Sequence, residues 1–203
     1  MTKAFNFGVI LGRFQHLHIG HVHMIGKALL TCEKVLILVG SSQESFTVRN
    51  PFTCKTRMDV IRASFEKEIE EGKLFVAHID DMTNENDHVP EWGDYVLDRV
   101  DMWAKYFDIE DSLDCMIYGN DEERMSWYRP QAIEKVNQLI LGRGTIPISA
   151  TMMRVFIVED NFEDWLKHMP NSQGQEDKYF KLFSELREEL LRIPHYNELL
   201  VKP

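Results

Sequence analysis

Cysteine is sparse in this 203-residue chain, present only at Cys32, Cys54 and Cys115, far apart and never in a C-x-x-C pair. That spacing argues against a disulfide framework and a cysteine zinc site, and it points to a reducing compartment. Long apolar runs are also missing. No stretch approaches the ~20 residues needed to cross a bilayer, and the first residues show no charged segment leading into an apolar run and a cleavage site. A cytoplasmic location is the expectation. Positive charge is in deficit, with 23 Lys and Arg against 33 Asp and Glu, for a net charge of −10. Such a field repels phosphate polymers, so neither nucleic acid nor an anionic membrane is expected as a partner. A small phosphorylated substrate stays compatible, provided that basic side chains gather locally. Internal repeats and low-complexity segments are lacking as well.

What remains is an ordinary globular composition, 44% hydrophobic and 28% charged, in a chain long enough to bury roughly 70% of its unfolded surface. Phe5 to Leu11 reads as a buried strand, followed by a helix on which Val22, Ile25 and Leu29 recur. Lys34 to Gly40 is a second strand, which makes a βαβ unit with a right-handed crossover. A polar loop with Asn50-Pro51 precedes a helix whose Met58, Ile61, Phe65 and Ile69 share one face. Lys73 to Ile79 is a third strand, and Pro90 opens a helix running to Phe107. Leu113 to Tyr118 is a fourth strand. A helix near 121–127 and a weaker extended segment at 138–148 follow. The alternation predicts an α/β fold: a Rossmann-like open parallel sheet with helices on both faces and a C-terminal helical extension. Residues 1–155 form the α/β part and 156–203 a helical cap of the same domain, with Phe180, Phe183, Leu186 and Leu190 as the last helix's apolar face.

The segment between the first strand and the first helix, GRFQHLHIGH, carries His16, His18 and His21, with His23 just beyond. In open α/β sheets ligands bind past the carboxyl ends of the strands, and a helix start favours an anion. Gly12 and Gly20 allow a tight turn and close approach to a ligand, and His18 and His21 flank Gly20, where both could face one phosphate. The plainer readings are a zinc site drawn from three of the four histidines, or incidental surface imidazoles. His16 and His23 read more readily as incidental.

His18-Ile19-Gly20-His21 resembles the HxGH signature of the nucleotidyltransferase superfamily, and Ile148-Ser149-Ala150-Thr151-Met152-Met153-Arg154 resembles its ISxTxxR signature. Gly12-Arg13-Phe14-Gln15-His16-Leu17-His18 is similar to the GRFQPxH form of archaeal-type nicotinamide-mononucleotide adenylyltransferases. Gly40-Ser41-Ser42-Gln43 with Asn50-Pro51-Phe52-Thr53 is similar to their GSAQ…NPFT stretch. The likeness spans about residues 5 to 160. His16 stands where that family usually has proline, a change expected to loosen the loop. TCKTR at 53–57 keeps Arg57 of the usual TAGER, and Ala150 replaces a common serine.

The resemblance implies transfer of AMP from ATP to nicotinamide mononucleotide, giving NAD and pyrophosphate. The attacking phosphate oxygen is already ionised, so positioning and charge stabilisation should suffice without a general base. By the same resemblance His18, His21 and Arg154 are the catalytic set. Gly12, Arg13, Phe14, Gly20, Gly119, Asn120, Ser149 and Thr151 would bind ATP. Ser41, Arg49, Arg57, Asp81 and Trp92 would bind nicotinamide mononucleotide, with Trp92 stacking on the ring. Mg²⁺ would be held by phosphate oxygens and water, with no metal site built from the protein. Trp92 reads equally as a packing residue, and Gly119-Asn120 as a plain strand-ending turn. Family members often form homo-oligomers, but no interface is legible here. Other readings are a different HxGH transferase (phosphopantetheine, flavin mononucleotide or cytidylyl transfer) and a non-catalytic nucleotide-sensing protein.

Overall fold

The structure, a computed structural model, describes residues 2–82, 89–119, 126–142, 148–170 and 173–201. Five strands pair side by side, all parallel: β1 (Phe5–Gly12), β2 (Cys32–Val39), β3 (Leu74–His78), β4 (Cys115–Tyr118) and β5 (Asn137–Ile140). Their spatial order is β3-β2-β1-β4-β5. The chain therefore builds outward from β1 in one direction, returns, and builds outward in the other. The reversal between β1 and β4 leaves a crevice at their carboxyl ends, where such sheets take ligands.

Strand burial explains the near-continuous apolar runs. Phe7, Val9 and Leu11 of β1 and Leu36 and Leu38 of β2 join one core. Ile10, Val35, Ile37 and Val39 join the other. Both faces are covered, so both sets of alternating side chains must be apolar. Helix α4 (Pro90–Tyr106) covers the first of these faces through Trp92, Val96, Val100 and Ala104. On the opposite face lie α1 (Ile19–Thr31), α2 (Cys54–Ser64) and α5 (Ala150–Val158). Helices α6 (Phe162–Lys167), α7 (Glu176–Leu191) and α8 (Pro194–Val201) complete it: Trp165, Phe183, Leu190 and Tyr196 belong to the same core as Ile10 and Ile117. Residue 155, the expected division, lies inside α5.

Three expectations need correction. The helix through Ile69 is broken at Phe65 (φ −130°), which leaves helical geometry with its ring buried, and a short α3 (Glu66–Glu70) follows. The buried stripe of α7 starts at Tyr179, whose hydroxyl donates to the Pro170 carbonyl, while Phe180 is 56% exposed. Tyr179, Phe183, Leu186 and Leu190 keep the helical period better than a stripe led by Phe180. Of the extended segment expected at 138–148, residues up to Ile140 are strand, 141, 142 and 148 are not, and 143–147 lie outside the described residues. The helix expected near 121–127 lies largely outside the described residues, and Asn120 lies outside them too.

Gly8 sits on β1 between β2 and β4. A Cβ there would lie 2.6 Å from Cys32 Sγ and 3.0 Å from Ile117 Cδ1. Overpacking of this kind costs about 1–3 kcal/mol. Gly8→Ala is expected to lower the unfolding free energy by that amount, read as a lower urea midpoint at constant slope, and an unchanged midpoint would contradict this packing.

Candidate active site

The site begins where β1 ends. Phe14 takes a left-handed backbone (φ 50°), a conformation an ordinary side chain adopts only where the surroundings enforce it. Its ring folds back over Gly12, where a Cβ would be 3.1 Å from the ring. The same ring meets His21 at 5.0 Å between centroids. His18 then caps α1: its Nδ1 accepts the Gly20 N–H at 3.1 Å. With Nδ1 accepting, the proton of the neutral ring sits on Nε2. A side chain at position 20 would come within 2.9 Å of His18 Cε1, so glycine is what lets the imidazole fold over the helix start. The His18 and His21 rings lie 4.0 Å apart, tilted by 34°. Two imidazoles therefore stand at the positive end of a 13-residue helix.

The second half comes from the start of α5. Ser149 caps that helix, accepting from the Met152 N–H at 3.2 Å, and keeps its own hydroxyl proton for another partner. Arg154 reaches across, Nη1 donating to the Gln15 carbonyl at 2.7 Å and Nη2 to Thr151 Oγ1 at 3.1 Å. Its Nε is buried with no hydrogen-bond partner among the described residues. Thus the two segments expected to face one polyanion are joined by a direct hydrogen bond between residues 139 positions apart.

His16, expected to be incidental, is buried at 2% exposure. Its ring meets Phe52 edge-on at 5.9 Å and Trp165 edge-on at 5.7 Å. Nε2 accepts from Trp165 Nε1 at 3.2 Å, and Nδ1 donates to the Leu17 carbonyl. Burial, reinforced by the nearby His18 and Arg154 and opposed by the Leu17 carbonyl, lowers its pKa to about 4 from 6.5. The loop is pinned, not loosened, by this residue. Gln15 beside it accepts from Phe52 N–H at 3.2 Å and contacts Asn50 at 3.3 Å. Sequence reasoning gave Gln15 and Asn50 no role and read His16 as incidental. All three stand inside the quoted GRFQ and NPFT stretches, and that adjacency was the available signal.

The four histidines diverge: His18 and His21 are together, His16 turns into the core, and His23 is exposed. Among the described residues no group of three His, Cys, Asp or Glu could hold a metal ion.

On the far side lie the residues expected for the mononucleotide. Ser41, buried and left-handed (φ 50°), donates its N–H to Asp81 Oδ1 at 3.3 Å, linking the exits of β2 and β3. Arg49 is exposed, as is its neighbour Arg13, which was expected on the ATP side. Partial burial and the neighbouring Arg13 hold Arg49 below the usual guanidinium range, with Asp81 opposing. Two cations and a carboxylate thus gather at the ends of β1 to β3. Arg57 does not join them as a ligand group. It is 2% exposed and donates to the carbonyls of Arg13 and Gly40 (both 2.7 Å), Ser41 (3.0 Å) and Thr53 (3.3 Å). It clamps the turns after β1 and β2 to the start of α2. Trp92, expected to stack on the ring, is 8% exposed within the α4 core, which makes packing its main task. Gly119 ends β4, across the crevice from β1, where a Cβ would be 3.5 Å from Met24 Sδ.

Imidazole, hydroxyl and guanidinium donors at two helix starts can bind and stabilise phosphate groups. Residues 9–159 match the cytidylyltransferase-like family, and the chain belongs to it. Within that class it belongs with the nicotinamide-nucleotide adenylyltransferases. It is 31% identical to the enzyme of that name from Thermococcus sibiricus over 81% of this chain and 79% of the relative. The Thermococcus kodakarensis enzyme is 30% identical over 83% and 80%. In fold the chain is similar to a bifunctional NMN adenylyltransferase/ADP ribose pyrophosphatase from Francisella tularensis, solved with AMP and a manganese ion. The TM-score is 0.67 at 18% identity, over 98% of this chain and 56% of that one. The chain thus spans a little over half the length of that bifunctional protein. Among the described residues no helix is long and apolar enough to cross a membrane.

Two outcomes follow for stability. Arg57→Lys cannot reach four carbonyls, and stranding buried acceptors costs about 1–3 kcal/mol each at most. A loss of about 3 kcal/mol in chemical denaturation is expected, and a neutral effect would remove the clamp. His16 takes a proton near pH 6.5 when unfolded but only near 4 when folded. Between those values the unfolded chain binds more protons, so stability falls as pH is lowered through that window. The total is about 3 kcal/mol. His16→Gln should flatten this part of the stability–pH curve relative to the unaltered chain.

Proposed function

We propose that this chain transfers the AMP moiety of ATP to nicotinamide mononucleotide, giving NAD and pyrophosphate. The observation that carries the reading is the hydrogen bond from Arg154 to the Gln15 carbonyl, which sets the guanidinium beside the loop bearing His18 and His21. In the reaction a 5′-phosphate oxygen of the mononucleotide bonds to the α-phosphorus while the bond to the β-phosphate oxygen breaks. Negative charge builds on the departing pyrophosphate and on the α-phosphate oxygens. His21, at the first turn of α1, is suited to the α-phosphate, and His18 Nε2 to the same triphosphate. The remaining N–H groups of Arg154 suit the β- and γ-phosphates in a forked contact. Ser149 and Thr151 each keep a hydroxyl proton to donate, and the α5 start adds its dipole. Arg49 supplies local charge for the acceptor's phosphate, with Asp81 and Ser41 beside it, and the neighbouring Arg13 supplies it for ATP.

The donor set fits a divalent ion that arrives with ATP and is held by phosphate oxygens and water. Mg²⁺ is the ion proposed, screening phosphate charge. Residues 1–155 and 156–203 are read as one domain, because α5 runs through the division and the last helices share its core.

The test is a substrate panel. Mg·ATP is offered with nicotinamide mononucleotide, phosphopantetheine or flavin mononucleotide, alongside a CTP arm with an alcohol phosphate, and released pyrophosphate is measured. Nicotinamide mononucleotide should give the signal, and pyrophosphate only with another acceptor would overturn the substrate assignment. ATP or NAD binding without turnover on any acceptor would favour a sensing role. His21→Ala should lower kcat by about 100-fold or more while ATP affinity changes less than about threefold. Equal losses in both would argue against a transition-state contact.

A further inference from the structure

The C-terminal helices make a polar contact with the histidine loop. Trp165 of α6 is fully buried, and its Nε1–H donates to His16 Nε2 at 3.2 Å. An indole nitrogen can only donate, so Nε2 of His16 must be the bare nitrogen. A carbonyl can only accept, so the contact of Nδ1 with the Leu17 oxygen places the proton on Nδ1. Both contacts demand the same neutral tautomer. Phe52 closes the other edge of the ring at 5.9 Å, so the imidazole is held between two aromatic edges.

The consequence lies one residue further on. The Leu17 carbonyl and the His18 N–H belong to one rigid peptide plane. Fixing the direction of that carbonyl fixes the plane by which the chain enters His18, the cap of α1. Arg154 holds the carbonyl of Gln15 two residues earlier. Residues 15 to 17 are therefore pinned at one end by α5 and at the other, through His16, by α6.

We propose that Trp165 is a positioning residue of the nucleotidyl-transfer site, setting the His16 tautomer and thereby the Leu17–His18 peptide that aims the first imidazole. A hydrogen bond from a distant helix does here what backbone stiffness would otherwise have to do. The inference rests on the adenylyl-transfer reading for its kinetic half only.

Full-length Trp165→Phe keeps the apolar ring and loses the donor. His16→Ala removes the relay, and the double variant combines them. All are assayed with Mg·ATP and nicotinamide mononucleotide, at a temperature where near-UV circular dichroism shows each folded. Trp165→Phe is expected to lower kcat about tenfold, because small misplacements near the reacting groups act mainly on rate. KM for the mononucleotide should stay within about twofold. His16→Ala should lose about as much, and the double variant no more than the larger single loss, since the two act in series. Long-range ¹H–¹⁵N spectra of the imidazoles should show His16 protonated at Nδ1 in the unaltered chain and lose that single form in Trp165→Phe. An unchanged kcat in Trp165→Phe, multiplying losses in the double variant, or a His16 proton on Nε2 in the unaltered chain would each overturn the proposal. If Trp165→Phe unfolds, His16→Ala carries the kinetic test alone, with the same loss required. If the unaltered chain forms no NAD, the reaction assignment fails, while the spectra still decide whether Trp165 sets His16.

Discussion

The contact between the Arg154 guanidinium and the Gln15 carbonyl is the closure on which the site depends. Without it, the start of α5 and the loop after β1 would be two separate anion-attracting helix ends. With it, the two are held side by side. The cost is modest because a guanidinium presents its donors in a fixed fork. One prong holds the Gln15 backbone and another holds Thr151. A lysine could not divide its charge in this way.

The acidic chain resolves its charge problem by sorting arginines. Arg57 is buried and spent on four carbonyls, a purely internal use. Arg13 and Arg49 remain exposed at the strand ends, near enough for Arg13 to depress Arg49. That closeness of two like charges is unfavourable by itself. Exposed pairs such as Lys55 with Asp59 add little, since water screens them. The cations that matter are the buried one and the crowded ones. The C-terminal helices take part in the same economy: the carboxylate of Glu189 in α7 accepts from Thr53 N–H at 3.0 Å and from the Thr56 hydroxyl, so α2 begins on an internal anion. Tyr196 of α8 donates to the Val48 carbonyl at 3.1 Å, bracing the loop that carries Arg49.

Much of this was legible locally. The strand runs and the helices that follow them obey periods that any buried sheet imposes, and His18, Gly20 and His21 act through contacts within four residues of each other. What misled were residues whose chemistry is ambiguous without neighbours. Arg57 looks like a ligand group because arginine in a polar segment usually faces solvent, and only its position beneath two left-handed turns consumes its donors. Trp92 looks like a stacking platform until α4 is laid on the sheet. Phe65 and Phe180 fit an apolar stripe by spacing, but helix breaks and rotation of a terminal helix depend on what packs against them.

The sequence by itself determined the alternating α/β order, the histidine-bearing turn at the end of the first strand and the presence late in the chain of a segment that carries Ser149, Thr151 and Arg154. These rest on short-range periodicity and on backbone groups left unpaired at helix starts, which neighbours along the chain decide. The tertiary structure alone decided that the late segment meets the early one, that Arg57 is a clamp, and that His16 is a buried relay to Trp165. Those outcomes depend on partners as far as 149 residues away, and no local pattern encodes which of two chemically suitable groups a folded chain will bring into reach.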